Sequence, residues 1–487
     1  MRTTLRLAVL GMALFWFMAG CQPQSSTRTV RLSIRSIPQA LLDVQLDTLD
    51  MISLENLVIA QLTIDSAGST LLEFELPRPQ FTRLQLGDDF QTLYLTPGDE
   101  LTIHYDTTGN QVRFEGTSAD ANHYLAQEVL IWQQSGLYEN EISAETFLAR
   151  LDSTKNKISD FLRHYQDSTA LSAAIGTLFK HRYELSLLMA KQRFFWNNYF
   201  AAENKEIPGA ISSVWKEIPF DSTLLRTAMP TYASVLYFYL YMHKYPSVYP
   251  KGVSKTEVGS ISKNFPFLAY EKIKEVSPPP AFQEFFQAKI LDYSLASFGI
   301  TPAIDSFYTQ FKQHYPSSEY QSSVETQYQK WAALLPGKVA PDIRGINSDG
   351  KEFSLSDLRG KVVYVDIWAT WCGPCKGEFP YAKKIKKQFE GNDRVAFLYV
   401  SVDQEVEEWK KYLRKNQDMT GIHINQNPEA DANSSVYKKY MIWGIPRYFL
   451  IDQQGRIVSV MAARPSSGEV EREIRKVLAQ ATPVASL

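Results

Sequence analysis

The residues of this 487-residue chain best suited to chemistry are Cys372 and Cys375, set apart by Gly373 and Pro374 in the stretch WATWCGPCK from Trp368 to Lys376. Three chemistries use such a pair: a reversible dithiol–disulfide couple, a clip for a soft metal ion, and a local structural staple. A staple is disfavoured, because a disulfide closing so small a loop constrains the unfolded chain little. A metal clip needs more ligands than two thiols, and the nearest histidine or cysteine downstream is His423; two thiolates alone would suit only Cu(I). No metal is expected. Peroxide reduction calls for a threonine three residues before the first cysteine, whereas Thr370 is two before it and the second cysteine is too close.

The flanking residues favour the redox couple. An apolar run, Val362 to Ile367, precedes the pair and a helical pattern follows it, which places Cys372 at a helix N-terminus. There the positive end of the helix and its free N–H groups favour thiolate over thiol. Cys372 is thus the candidate nucleophile. Cys375, one turn further in, is placed to attack a mixed disulfide formed on Cys372 and to resolve it. Pro374 suits a first helical turn, where its missing N–H costs nothing. Asp366 interrupts the apolar strand, and a lone carboxylate there is costly unless it stays protonated or finds a partner. Proton transfer to or from Cys375, with a raised pKa, is the expected consequence. Glu378, three residues past Cys375, falls on roughly the same helix face and is a second candidate for that transfer, although a glutamate in a first turn also complements the helix dipole.

An α/β domain must hold these residues. Apolar runs at Val362 to Ile367, Val395 to Val402 and Tyr448 to Ile451 read as buried strands, and Phe379 to Phe389 and Glu405 to Lys415 as helices between them. That alternation predicts a mostly parallel sheet covered on both faces, over residues 335–487. Upstream, residues 30–117 alternate in strand fashion with turns such as Thr96-Pro97-Gly98-Asp99, which predicts a small antiparallel sheet or sandwich. Residues 118–334 carry apolar residues at helical spacing, broken at Pro208, Pro230, Pro246, Pro250 and Ser277 to Pro280. Their aromatic clusters, Phe194 to Trp196 and Tyr237 to Tyr239, are expected to pack in a core. Asp-Ser-Thr triplets at Asp152, Asp167 and Asp221 are expected to cap helix starts.

The N-terminus carries an address. Arg2 and Arg6 precede an apolar run from Leu7 to Ala19, short for a membrane span and suited to a signal peptide over residues 1–20. Met18-Ala19-Gly20-Cys21 resembles the lipobox of bacterial lipoproteins, which implies acylation of Cys21 and a lipidated tether over 21–29; an ordinary signal peptide with an incidental cysteine is the plainer reading. With Cys21 acylated, Cys372 and Cys375 are the only thiols left in a compartment where disulfides persist. A formal net charge of -2 gives no footprint for nucleic acid, and 44% hydrophobic residues mark a folded protein.

The sequence from Trp371 to Lys376 is identical to the thioredoxin active-site signature, and the stretch from Asp357 to Pro380 resembles the TlpA/ResA-like thiol:disulfide oxidoreductases and their AhpC/TSA-related neighbours. The resemblance covers about Pro336 to Ala479. It implies a thioredoxin-like fold, with Asp366 in the place of the buried aspartate, Glu378 in that of the active-site glutamate and Pro380 in that of the helix-kinking proline. Trp371, Gly373 and Pro374 would then form the rim that meets substrate. Gly444-Ile445-Pro446 is similar to the family's cis-proline loop, so Ile445 and Pro446 would pair with an extended substrate segment. Arg447 replaces the small hydroxyl residue often found next, which leaves substrate preference open. Gln417 to Tyr440 looks like the family's extra insertion. The upstream regions resemble, more loosely, lipoprotein extensions of Bacteroidota.

Together these imply a membrane-anchored thiol:disulfide oxidoreductase that reduces disulfides of envelope proteins. It would draw on an upstream membrane thiol reductant and use no cofactor beyond its own cysteine couple. The expected location is the periplasmic side of the cell envelope, on the outer rather than the inner membrane. A disulfide oxidase or isomerase is the neighbouring alternative. From a different class comes an envelope binding lipoprotein whose N-terminal domains hold a partner or ligand.

Overall fold

Alternation along β1 (Thr29–Ile37) puts Val30, Leu32 and Ile34 on one face, each fully buried, while Arg31 and Arg35 point away. The strands β2 (Leu42–Leu49), β3 (Asn56–Ile64), β4 (Ser69–Glu75), β5 (Gln80–Leu86), β6 (Asp89–Leu95), β7 (Glu100–Asp106) and β8 (Gln111–Gly116) follow; the period is as plain in β7, where Leu101, Ile103 and Tyr105 are buried, whereas β3 is exposed over most of its length. Two four-stranded sheets result, ordered β4-β1-β7-β8 and β3-β2-β5-β6, sharing one core that includes Val44, Leu46, Leu84, Leu93 and Ile103. The sandwich is not wholly antiparallel. β1 and β7 run parallel, as they can because the chain between them crosses through the other sheet and imposes no hairpin.

This computed structural model describes residues 28–480, apart from 38–41, 65–67, 110, 140–141, 202–208, 241–265, 276–277, 427–434 and 443. The apolar leader, Cys21, Pro208, Pro246, Pro250 and Ser277 lie outside the described residues. The described residues divide into two compact units, one drawn from those within 1–48, 58–134 and 161–176 and the other from those within 49–57, 135–160 and 177–487.

In the first unit, α1 (Ala119–Gln133) seals the two sheet edges left by β6 and β8. Asn122 is fully buried; its side chain accepts from the Tyr94 N–H at 2.8 Å and donates to the Tyr94 and Ser118 carbonyls at 3.1 and 2.9 Å. His123 Nε2 accepts from the Phe114 N–H at 2.9 Å, and burial holds its pKa below the usual histidine value. Strand edges whose N–H groups are taken up in this way offer no template for a further strand.

The second unit contains α2 from residue 144 to 160, much of α3, α4 (Pro230–Phe238), α5 (Pro280–Phe298), α6 (Pro302–His314) and α7 (Gln321–Ala332), with the whole of α2 spanning Ala144–Ser168 and of α3 Ala173–Ala201. α5 is buried on all sides, from Phe282 and Phe286 to Leu291 and Leu295, and so is the centre of the helical array. Phe194 stacks on Phe147 at 4.3 Å and Tyr239 packs on Phe220 and Phe286, so these aromatics are core. Of the three Asp-Ser-Thr triplets only Asp221 caps a helix, accepting from the Thr223 N–H at 2.8 Å. Asp152 lies inside α2 and Asp167 in its last turn, because Ser143 holds the N-cap instead, accepting from the Thr146 N–H.

The same unit ends in a seven-stranded sheet ordered β10-β9-β13-β12-β11-β14-β15, built of β9 (Arg344–Ile346), β10 (Glu352–Ser354), β11 (Val362–Trp368), β12 (Val395–Ser401), β13 (Ile422–Asn425), β14 (Arg447–Ile451) and β15 (Ile457–Ser459). It is mixed rather than mostly parallel. β11, β12 and β13 run parallel, whereas β9 with β10 and β14 with β15 are joined by short turns that permit only antiparallel pairing. α8 (Gly373–Gln388), α9 (Val406–Lys415) and α10 (Val470–Gln480) complete it, α10 packing Val470, Ile474 and Val477 near Val362, Tyr364 and Tyr448. Among the described residues no helix is long and apolar enough to cross a membrane.

Asn122→Ala strands a buried N–H and a buried carbonyl at once. We expect it to destabilise the N-terminal unit by about 2–4 kcal/mol, read as a lower urea midpoint, with the redox chemistry of the C-terminal domain unchanged.

Candidate active site

β11 is buried at every position, since it has β12 on one side, β14 on the other and apolar side chains on both faces. Period two places Val362, Tyr364, Asp366 and Trp368 on one face. Asp366 is thereby carried into an environment of rings, paired across the ladder with Tyr399 and Tyr448. It is 2% exposed, and among the described residues neither carboxylate oxygen has a hydrogen-bond partner. Burial raises its pKa well above the ordinary 3.8; the charge of Glu378 adds to this and that of Lys386 opposes it. The charged form of Asp366 is therefore disfavoured and its protonated form favoured.

The chain leaves β11 at Trp368, turns, and enters α8 with Cys372 as its N-cap. Cys372 and Cys375 are joined as a disulfide with Cα atoms 5.3 Å apart, and the Cys375 N–H donates to Cys372 Sγ at 3.2 Å. Cys375 is fully buried and Cys372 nearly so, at 4% exposed, beneath a Trp371 that is 66% exposed. A Cβ on Gly373 would meet nothing within 4 Å, so the surface above the pair is open. Pro374 lies in the first turn of α8 and Pro380 within the helix.

A bracket absent from the sequence reading fixes the turn before Cys372. Asp403, buried at 3% exposure, accepts from the Thr370 N–H at 3.1 Å and from the Thr370 hydroxyl at 2.7 Å. Ser401 donates to the same carboxylate at 2.6 Å, and Asn425 donates to Ser401 Oγ and to the Asp403 carbonyl. The ends of β12 and β13 thus hold the segment that aims the couple. Only an acidic residue just past a buried strand signalled it.

Glu378 sits in the buried face of α8, but its carboxylate is taken up by Ser466, whose N–H and hydroxyl donate to it at 2.8 and 2.9 Å. Lys386, two turns further along α8, donates to the Thr420 carbonyl and lies 5.1 Å from the Tyr399 ring centroid. Burial lowers its pKa to about 8. Asp366, Glu378 and Lys386 are therefore electrostatically linked beneath the couple, and the sequence singled out only the first two.

The Ile445–Pro446 peptide is cis. Arg447, the next residue, opens β14 opposite Ile367, so this loop stands at the same end of the sheet as Trp368 and the cysteine turn. Cys372, Cys375, Asp366, Glu378, Ile445 and Pro446 thus gather at one end of one sheet. Among the described residues no group of three or more His, Cys, Asp or Glu side chains could hold a metal ion.

A family profile described as Redoxin matches residues 335–478. The thiol-disulfide oxidoreductase ResA of Bacillus subtilis (strain 168) is 32% identical over 129 residues, which are 26% of this chain and 68% of that relative. A crystal structure of the thioredoxin domain of a thiol-disulfide oxidoreductase from Bacteroides vulgatus is 31% identical, covering 29% of this chain and 97% of that one, with a TM-score of 0.27. A solution structure of a thiol:disulfide interchange protein from Bacteroides sp. is 29% identical, covering 31% and 95%, also with a TM-score of 0.27.

Two outcomes follow from the geometry. With the native pKa of Asp366 above its unfolded value of 3.8, the native state keeps a proton that the unfolded chain releases. The stability this brings is full below about pH 3.8 and is lost as pH rises through the native value. Asp366→Asn is expected to raise the urea midpoint at neutral pH and to flatten the decline toward alkaline pH, while slowing thiol–disulfide exchange by about 10²-fold. Asp403→Ala is expected to cost about 2–4 kcal/mol and to lower the exchange rate by loosening the Thr370 turn, both measurable on one purified variant.

Proposed function

The chain belongs to the ResA/TlpA-like thiol-disulfide oxidoreductases, and from that premise we propose that it is a reductase of protein disulfides in the cell envelope, anchored through acylated Cys21. The observation that carries the dithiol chemistry is Cys372 at the N-cap of α8, joined to Cys375, with the buried Asp366, its pKa raised, on the preceding strand. Cys372 thiolate attacks one sulfur of a client disulfide, forming a mixed disulfide and releasing the other client sulfur as a thiolate that takes a proton from water. Cys375 passes its proton to the Asp366 carboxylate, attacks Cys372 Sγ, and expels the second client thiolate, which takes up a proton in turn. Two electrons pass from the dithiol to the client, whose two thiolates draw their protons from water, and the protein is left with the Cys372–Cys375 disulfide and the Cys375 proton on Asp366. The disulfide of that end state is the one present in the described structure.

Glu378, held by Ser466, takes the part of an electrostatic partner that keeps the Asp366 proton in place, rather than that of a direct base to Cys375. Trp371, Gly373 and Pro374 form the rim toward the client, and Ile445 with Pro446 the edge along which an extended client segment lies. An upstream membrane dithiol restores the reduced couple, and no cofactor is needed beyond it. The leader and the lipobox-like Met18 to Cys21 support a lipid-anchored, periplasm-facing location on the outer membrane.

A Cys375→Ser chain expressed in the source cells is expected to retain clients as mixed disulfides that dithiothreitol releases, while Cys372→Ser retains none. Capture by Cys372→Ser instead, or by neither, contradicts the assigned roles.

A further inference from the structure

The helical array and the Ile445–Pro446 loop enclose a cleft of about 850 Å³ within the second unit. One wall is Gly444 to Tyr448 with Met461 and Arg464. The other is α5, through Lys289, Asp292 and Tyr293, together with the turn Ser53 to Glu55. That turn is built rather than loose. The Leu54 N–H donates to the Asp50 carbonyl and the Asp50 N–H to the Glu55 carbonyl, holding Leu54 at φ 60°, and Lys289 donates to the Ile52 carbonyl from within the buried face of α5.

Charge in the cleft is one-sided. Its two carboxylates are matched within the protein, Asp292 by Lys289 at 3.1 Å and Glu55 by Lys330 at 3.3 Å. Arg447 and Arg464 have no carboxylate and no hydrogen-bond acceptor for their guanidinium groups among the described residues. They stand near enough that the charge of Arg464, after burial, lowers the pKa of Arg447. Two like charges facing one cavity, one of them half-buried, call for an anion from outside. The cavity is the size that takes a small ligand or a short extended segment and not a folded surface.

We propose that this cleft binds a carboxylate-bearing disulfide substrate, presented as an extended acidic peptide segment whose carboxylates engage Arg447 and Arg464 while its backbone lies along Gly444 to Pro446. The helical array supplies the far wall. It thereby gives the disulfide chemistry a preference for acidic clients, a step that rests on the reductase reading above. Guanidinium groups suit carboxylates because they bind them through paired, charge-assisted hydrogen bonds.

The test uses the full chain and three probes: two cyclic disulfide peptides that differ only in carrying Asp or Lys beside each half-cystine, and oxidised glutathione as a small acidic disulfide. The dithiol form is expected to reduce the Asp peptide about tenfold or more faster than the Lys peptide at low salt. Arg447→Gln with Arg464→Gln should bring the two rates together. Arg464→Glu alone, at an exposed position, should turn the preference toward the Lys peptide. Equal rates in the wild-type chain, or a preference that survives the substitutions, overturn the proposal, and a faster rate with oxidised glutathione than with the Asp peptide overturns the assignment to peptides. Anisotropy of linear serine-for-cysteine peptides on the Cys372→Ser/Cys375→Ser chain separates the two levels of the argument. Preferred binding of the Asp peptide without any reduction by the dithiol form keeps the cleft and sinks the reductase reading, and no binding preference there sinks the cleft.

Discussion

A carboxyl group inside a strand buried on both faces is the constraint from which the rest of the site follows. β11 is central because its other side chains are apolar, and that centrality leaves Asp366 among Tyr399, Tyr448 and Trp368 with no hydrogen-bond partner for its oxygens among the described residues. A charged form there is expensive, so the group's affinity for a proton is raised. The same burial that makes the strand a good core element raises the pKa of its one acid.

Positioning then comes from the ends of the neighbouring strands. β11 delivers Cys372 to a helix N-terminus, and β12 and β13 deliver Ser401, Asp403 and Asn425 to the turn that precedes it. β14 begins with Arg447 opposite Ile367, which brings the Ile445–Pro446 peptide to the same end. Each element contributes one or two side chains, and the site is assembled where the ends of central strands meet a helix start. Glu378 and Lys386, from the buried side of α8, bias the charge beneath the couple in opposite senses.

Much of this was legible in the sequence. The cysteine spacing, the polar residue in an apolar run and the Gly-Ile-Pro turn each carry a local signature, so the couple, Asp366 and the Pro446 loop were visible one residue at a time. The Asp403 bracket was not, because its members are spread over Thr370, Ser401, Asp403 and Asn425 and only the register of three strands unites them. Ser466 as the holder of Glu378 was hidden for the same reason: the contact spans 88 residues of sequence. Sheet direction is not encoded in periodicity: β14 runs antiparallel to β11 and β1 parallel to β7, each set by how the chain crosses between distant strands. The triplets at Asp152 and Asp167 misled because a capping side chain acts only if a helix begins there, and α2 begins at Ala144. Helical periodicity located α5 without revealing that it carries the buried Lys289–Asp292 pair.

The most direct test of the central claim is the reduction potential of the Cys372–Cys375 couple in the full chain, held in detergent and equilibrated with dithiothreitol or glutathione buffers. Gly373-Pro374 is the dipeptide of thioredoxin, whose potential is about -270 mV, so the account predicts a single two-electron transition below about -220 mV. A value near -120 mV, in the range of a strong oxidant, or the absence of a reversible two-electron transition, would contradict it.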